Sequence, residues 1–532
     1  MNFFQNFKAT AQAEHVEGEA VSAVEKHFVF PVLLFAAFAA SLLSSLNPFS
    51  RALPWIDSSV FLAIGEGMRK GMVPYLDFFD HKGPLLYLIN YIGLCLGGKT
   101  GVWVLELIFL IVSILFAYKS ARFFASWPAA LVGTLCVFTI LPEFFMKGNM
   151  VEEYALPFIF ISLYIYTENF LKGRELGWGR VFILGVCFGA TLLLKPNLFA
   201  VWACFSFVVF MLRIREKKYN SAAGFVFWFG VGTVAVAIPF LFYLWVRGAM
   251  VDFFDQYVLF NGKYAASGGG VFRFAANVLL SLNRPFVFPV LLLVFYRISR
   301  TINTRESLFH VVCSASILLT ILLCSATSYS GAHYCTTLLP LFVPAMAWGC
   351  WKLFELAAPF KPGIIRVVLI CSILGIAFNL QIRHGASEVY SILNPGRTRY
   401  DPYSDDKLRR VTDAVANRIS EADEMIVLGS NCNLYSCASV RPATRYIYQW
   451  PIGEISPEIA ERFQSDVLAK KPALIILSWP YVRVTPKLEM DMGGVRRHFP
   501  RVTALLESDY EQVFAENGLA VVFERKKKRL TL

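Results

Sequence analysis

Charge is what this sequence has least of. Lys, Arg, Asp and Glu make up 17% of its 532 residues, against about 25% in soluble domains. The deficit lies in the stretch up to about residue 380, and the remainder has an ordinary soluble composition. With 56% hydrophobic residues and a mean hydropathy of +0.53, the chain reads as an integral membrane protein. No Gly-rich nucleotide loop, zinc-ligand spacing or Ser nucleophile elbow is present. A nucleotide donor is therefore not expected, and the outer face of a membrane normally lacks nucleotides. The absence of internal repeats and low-complexity tracts weakens a transporter built from repeats. Nine of the eleven cysteines lie in or beside apolar spans, where Cys acts as a small hydrophobe. The first 27 residues are polar and carry several acids, so they read as a cytoplasmic leader with no cleavable signal peptide. The net charge of +12 resembles a nucleic-acid signal. However, the basic residues flank hydrophobic spans or occupy the tail, as positive-inside anchoring requires. No nucleic-acid partner is expected; membrane lipids are.

What is there is a series of apolar spans, beginning near 28–47. The segment 85–96 is apolar but short of the ~20 residues that cross a bilayer. If it does not cross, spans follow near 101–118, 127–143, 154–171, 181–194, 197–213, 223–246, 284–297, 308–327, 336–355 and 364–380. The basic segments 119–122, 172–180, 213–218, 297–305 and 352–366 then all face the cytoplasm. If it crosses, all five face outward, against the positive-inside rule. The segment 85–96 is accordingly read as an interfacial helix on the outer surface. The result is a polytopic α-helical membrane protein of about eleven spans, with its N-terminus inside and its C-terminus outside. Three regions follow: a leader at 1–27, a transmembrane domain at 28–384 with a long outer loop at 48–100, and a domain at 385–532. In the last region, helical spacing at 405–419, 457–470 and near 501–506 alternates with buried-strand patterns at 424–429, 473–479 and 519–524. That alternation argues a small α/β domain outside the membrane. Its two cysteines, Cys432 and Cys437, are expected to pair in an oxidising compartment. Its tail, 525–529, is basic and reads as a solvated end touching anionic lipid.

This topology gathers unusual polar residues on the outer face. The loop 48–100 is far longer than a connection between two helices needs. Asp57 follows the first span and reads either as a helix N-cap before Val60-Phe61-Leu62 or as a functional acid. In Asp77-Phe78-Phe79-Asp80-His81-Lys82-Gly83-Pro84, the aromatics suit an interfacial anchor while Asp80, His81 and Lys82 face water. A lysine there suits a phosphate at headgroup depth; the plain reading is a turn in which Asp80 pairs with Lys82. Glu152 and Glu153 open a span, where acids favour the helix dipole or supply a second carboxylate. His333-Tyr334 opens another span, and Lys195-Pro196-Asn197 separates two; both read more readily as structural.

At these residues the chain resembles the GT-C superfamily of polyprenyl-phosphate-sugar-dependent glycosyltransferases. The likeness is nearest to the bacterial RgtA/B/C/D-like lipopolysaccharide-core transferases. It is more distant to the lipid A aminoarabinose transferases and the protein O-mannosyltransferases. The matching pieces, within roughly 28–355, are Asp57, Pro74-Tyr75-x-Asp77-x-Phe79-Asp80-His81-Lys82-Gly83-Pro84, Asn149-x-x-Glu152-Glu153-Tyr154, and His333-Tyr334 before Leu339-Pro340. The resemblance implies an inverting transfer of a sugar from a polyprenyl-phosphate donor to an envelope glycan, lipid or protein acceptor at the bacterial inner (plasma) membrane. Asp57 would be the general base and Glu152 or Glu153 the assisting acid. Lys82, with His81 and His333, would hold the donor phosphate, and Tyr75, Asp77 and Asp80 would support the loop. A divalent metal, Mg or Mn, would sit on Asp57 and Glu152. The chain departs from the aminoarabinose and mannosyl enzymes at Ser58, commonly Glu there, and at Gly83, commonly Pro, so their substrates do not carry over. Alternatives from other classes are a polysaccharide polymerase or ligase using a lipid-diphosphate donor, and a lipid-linked sugar flippase. The flippase would need mid-bilayer polar residues, and these spans have few.

Overall fold

A computed structural model of the chain describes residues 25–266, 304–325, 332–360, 363–394, 405–420, 423–438, 440–450, 452–478, 483–484, 490–516 and 519–526. The leader up to residue 22, the expected span at 284–297 and the basic tail beyond 526 lie outside the described residues. Each of the other expected spans overlaps a helix among the described residues, the first, 28–47, only as far as Ser41. Among the described residues, four helices are long and apolar enough to cross a membrane: Pro84–Ala121, Tyr219–Val246, Arg305–Cys324 and His333–Ala357. Trp127–Glu143, Trp178–Leu192 and Gly363–Ile373 are apolar but shorter. Tyr219–Val246 shows how a span differs from a soluble helix. Phe227, Val234, Ile238, Phe242 and Trp245 are all exposed along it, an apolar surface that lipid solvates and water does not.

The chain divides into two compact units that ignore linear order. One comprises Met1–Leu43, Val104–Phe240 and Gly268–Val389, the other Ser44–Trp103, Leu241–Ser267 and Tyr390–Leu532. The first unit is helical, and small residues let its backbones approach. A side chain on Gly133 would strike the backbone of Ala347, so the helices Trp127–Phe138 and Leu339–Ala357 meet closely there. Gly185 and Gly232 serve the contact between Trp178–Leu192 and Tyr219–Val246, where the Thr233 hydroxyl donates to the Gly185 carbonyl at 3.2 Å. Small residues at helix contacts are how apolar helices gain packing energy when lipid removes the hydrophobic driving force. Val151–Lys172 lies at the centre of this unit, with most of its side chains buried.

The second unit contains the long loop at 48–100. Its first helix, Ile56–Arg69, is followed by a turn in which Gly71 and Tyr75 both have positive φ. A helix then begins at Pro84 and breaks at Gly97 and Gly98, with φ +61 at Gly98. The chain reverses so sharply that a side chain on Gly101 would strike the Gly93 carbonyl. The stretch before the break, about 20 Å long at 1.5 Å per residue, is shorter than the ~30 Å hydrocarbon core. It is a separate helix, as its sequence predicts. The C-terminal part is an α/β domain. Its strands are β1 (Glu424–Leu428), β2 (Arg441–Pro442), β3 (Leu474–Ser478), β4 (Arg483–Val484), β5 (Met490–Asp491), β6 (Tyr510–Glu516) and β7 (Ala520–Arg525). Five of them form one sheet in the order β2-β1-β3-β7-β6, with β1 parallel to β2 and β3 and the β6–β7 hairpin antiparallel. The helix Pro457–Lys470 starts at Ser456, whose hydroxyl accepts the Ile459 N–H as an N-cap.

The expected disulfide is not formed. Cys432 is a free thiol, fully buried, with Sγ donating to the Ile447 carbonyl at 3.4 Å. Cys432 immediately precedes the helix Asn433–Ala438. The Cys437 side chain lies outside the described residues.

Candidate functional site

Asp57 sits in the first turn of Ile56–Arg69, but the residue at the cap position is Trp55, which makes no side-chain cap. The N-cap reading of Asp57 is therefore corrected: the carboxylate lies inside the helix start, where the dipole favours it. It is half-exposed. Each of the other acids in residues 48–83 has a partner. Glu66 pairs with Arg69 at 3.0 Å. Asp77 accepts the Val73 N–H at 2.6 Å, closing the turn that carries Tyr75 at positive φ. Asp80, 2% exposed, accepts from three donors at 2.7 Å each: the Tyr448 hydroxyl, the Tyr87 hydroxyl and the His81 N–H. Asp80 does not pair with Lys82, as a plain turn would require; two tyrosines take the lysine's place. Among the described residues, Asp57 has no hydrogen-bond partner of its own, and its charge bears on Tyr448.

The block that follows is held from several directions. Lys82 Nζ lies 2.7 Å from His81 Nε2, and His81 Nδ1 lies 3.4 Å from Asp80 Oδ1. The His81 ring packs beside Phe260 and Tyr264. Its carbonyl accepts from Asn261 Nδ2 at 2.7 Å. The Asp80 N–H donates to Gln256 Oε1 at 3.1 Å, and Gln256 Nε2 donates to the Tyr75 carbonyl at 2.7 Å. The Arg445 guanidinium donates to the same carbonyl and to Asp252 Oδ1. The Lys82 carbonyl accepts from the Tyr75 hydroxyl at 2.7 Å and the Tyr87 hydroxyl at 3.3 Å. A positive φ at a tyrosine costs about 1–3 kcal/mol and persists only where the surroundings over-determine it; here they do. Burial, with the Asp80 charge next to it, raises the Tyr448 hydroxyl well above its ordinary pKa and keeps it a donor. None of Tyr87, Gln256, Asn261, Arg445 and Tyr448 stood out in the sequence. They come from 84–96, 250–266 and the C-terminal domain, and each alone is an ordinary polar or aromatic residue.

Glu152, Glu153 and His333 belong to the first unit. Glu152 is buried and pairs with Lys195, Oε1 to Nζ 2.8 Å, and Lys195 lies 3.5 Å above the Tyr334 ring. The other oxygen of Glu152 has no hydrogen-bond partner among the described residues. His333 adds a second electrostatic contact to Glu152. Glu153 instead turns to the helix start, where Oε2 accepts the Met150 N–H at 3.5 Å. Glu106 lies beside it and accepts the Asn149 N–H. The sequence reading missed Glu106 because an acid within an apolar run gives no hint of a partner 43 positions away. Among the described residues, no three His, Cys, Asp or Glu side chains cluster as metal ligands, so no step is derived through a metal.

No curated protein matches the chain by sequence. Solved structures do match its fold. ArnT from Cupriavidus metallidurans, bound to undecaprenyl phosphate, is similar with a TM-score of 0.60 at 14% identity, over 95% of this chain and 99% of that one. Its apo form gives 0.61 at 13%, over 93% and 97%. The oligosaccharyltransferase AglB from Archaeoglobus fulgidus, in complex with an inhibitory peptide and a dolichol-phosphate, gives 0.52 at 14%, over 88% and 74%. These are GT-C structures, and the fold of this chain is the GT-C fold. The family model described as putative competence-induced protein Ccs4 N-terminal domain matches residues 19–347, more than half of the sequence, and the chain belongs to that family.

Proposed function

We propose that the protein is a membrane glycosyltransferase that moves a sugar from a polyprenyl-phosphate donor to an envelope glycan, lipid or protein acceptor on the outer face of the bacterial inner membrane. The observation that carries this reading is the division of labour among the acids of residues 48–83. Glu66, Asp77 and Asp80 are all engaged, while Asp57 is half-exposed with no hydrogen-bond partner among the described residues. A general base must be open to the hydroxyl it deprotonates; Asp57, Glu66 and Asp77 are all partly exposed, and of these Asp57 alone has no hydrogen-bond or ion-pair partner among the described residues. Lys82, braced by His81, supplies the cation that stabilises the departing lipid phosphate. The acceptor oxygen attacks the anomeric carbon as Asp57 takes its proton and the bond to phosphate breaks, which inverts configuration in one displacement. A divalent metal would be an addition to this scheme, which Lys82 completes without one. The accompanying topology has about eleven spans, a cytoplasmic N-terminus, 84–96 on the outer surface and the C-terminal domain outside.

The test uses the purified full chain with membranes from a deletion strain as the source of acceptor. A labelled sugar on polyprenyl monophosphate is expected to transfer, and the same sugar on polyprenyl diphosphate is not. Transfer from the diphosphate alone would favour a polymerase or ligase. No transfer from either donor, with envelope glycans unchanged in the deletion strain, would end the enzyme reading. Transfer that survives EDTA is expected; its loss would restore the metal.

A further inference from the structure

The side chains beneath Lys82 form a chain whose protonation follows from donor counting. An ammonium only donates, so at 2.7 Å from Lys82 Nζ the His81 Nε2 must accept. His81 is then neutral, with its proton on Nδ1, the nitrogen that faces Asp80 Oδ1 and the Tyr448 hydroxyl, each at 3.4 Å. Asp80 accepts three hydrogen bonds while 2% exposed, as a buried carboxylate must if it is to stay ionised. Two of the three donors that hold Asp80 are hydroxyls from elsewhere: Tyr87, 1% exposed, and Tyr448, 6% exposed, from the C-terminal domain. Tyr448 reaches Lys82 through Asp80 and His81, and Tyr87 through Asp80 and through the Lys82 carbonyl, to which its hydroxyl donates at 3.3 Å.

We propose that Tyr448 and Tyr87 are positioning residues for the donor phosphate. By fixing Asp80 they fix the His81 tautomer that accepts from Lys82, and so set the direction in which the ammonium meets the phosphate. The C-terminal domain thereby contributes to donor recognition through one hydroxyl. This rests on the reading of Lys82 as the phosphate-binding cation. A tyrosine that merely glued the domain in place would matter equally with or without Lys82. A positioning tyrosine has nothing left to position once Lys82 is gone.

The experiment measures binding of undecaprenyl phosphate, and of undecaprenol as the uncharged control, to the detergent-purified full chain. Tyr448→Phe, Tyr87→Phe, Lys82→Met and the Tyr448→Phe/Lys82→Met pair are compared with the unaltered protein. Lys82→Met should weaken phosphate binding by about tenfold or more, since it removes a charge-assisted contact. Each Tyr→Phe change should weaken it by about fivefold, within the range for coupling through a connected network. Undecaprenol binding and melting temperature should stay unchanged in the Phe variants. In the Lys82→Met background, Tyr448→Phe should add nothing. An equal loss in both backgrounds, a parallel loss of undecaprenol binding, or no loss in either Phe variant would overturn the positioning role while leaving Lys82 intact. Unchanged phosphate binding in Lys82→Met would overturn the reading of Lys82 and the positioning role together.

Discussion

At the scale of the residue, Asp57 and Cys432 are two positions where sequence pattern and surroundings part. Asp-Ser-Ser before an apolar run looks like a cap, yet the cap position falls on Trp55 and the carboxylate is left within the first turn. Replacing Asp57 with Asn therefore removes no cap and forfeits at most the dipole interaction, about 0.3–1 kcal/mol. Transfer should fall by about 10²-fold or more, in line with a lost general base. Normal expression with near wild-type transfer would leave Asp57 without a catalytic part and move the base to Glu152 or Glu153. At Cys432, burial first and the Asp80 charge second push the thiol pKa well up. The thiolate is the reactive form, so a raised pKa means less of it at any working pH. In the C-terminal domain of the native protein, Cys432 should resist maleimide at pH 8 and react fully after denaturation without reductant. If reductant is needed to expose it, the Cys432–Cys437 bridge exists after all.

At the scale of the element, the helix break at Gly97 and Gly98 decides what 84–96 is. Gly97 has φ −177, which any residue adopts, whereas Gly98 has φ +61 and ψ −143, a region almost confined to glycine. Gly98→Ala should destabilise the protein by about 1–3 kcal/mol, seen as a lower melting temperature, while Gly97→Ala should cost less. Equal effects at the two positions would mean that the reversal does not depend on backbone freedom at Gly98. The same stretch shows what a pattern can and cannot tell. That 85–96 is too short to span was readable from its length. Its return toward Gly101 needed the contact between Gly93 and the following helix. In the C-terminal domain, strands at 424–429, 473–479 and 519–524 were evident as short apolar runs. Strand β6 carries exposed and half-buried residues with no clean alternation, and its place at the sheet edge comes from pairing with β7.

At the scale of the whole molecule, the proposed topology is tested by labelling. In a cysteine-less variant, Lys99→Cys should react with an impermeant reagent from outside and Arg215→Cys only from inside. Outside labelling at both positions would reverse the orientation of the basic segments and remove the outer-face site with it. Membrane character, the helices and the residue types of the candidate site follow from the sequence alone, because hydropathy, helix length and the cost of charge in lipid are local properties. The Asp-His-Lys block was legible for the same reason: adjacent residues and their turn glycine and prolines form one short stretch. Which acid stays open and which is consumed was decided only in three dimensions. Asp57 and Asp80 are the same residue type in the same loop, and what separates them is two hydroxyls, one of them 368 positions away. A buried carboxylate takes its role from the donors that reach it, and those donors are brought by packing, which no window of sequence contains.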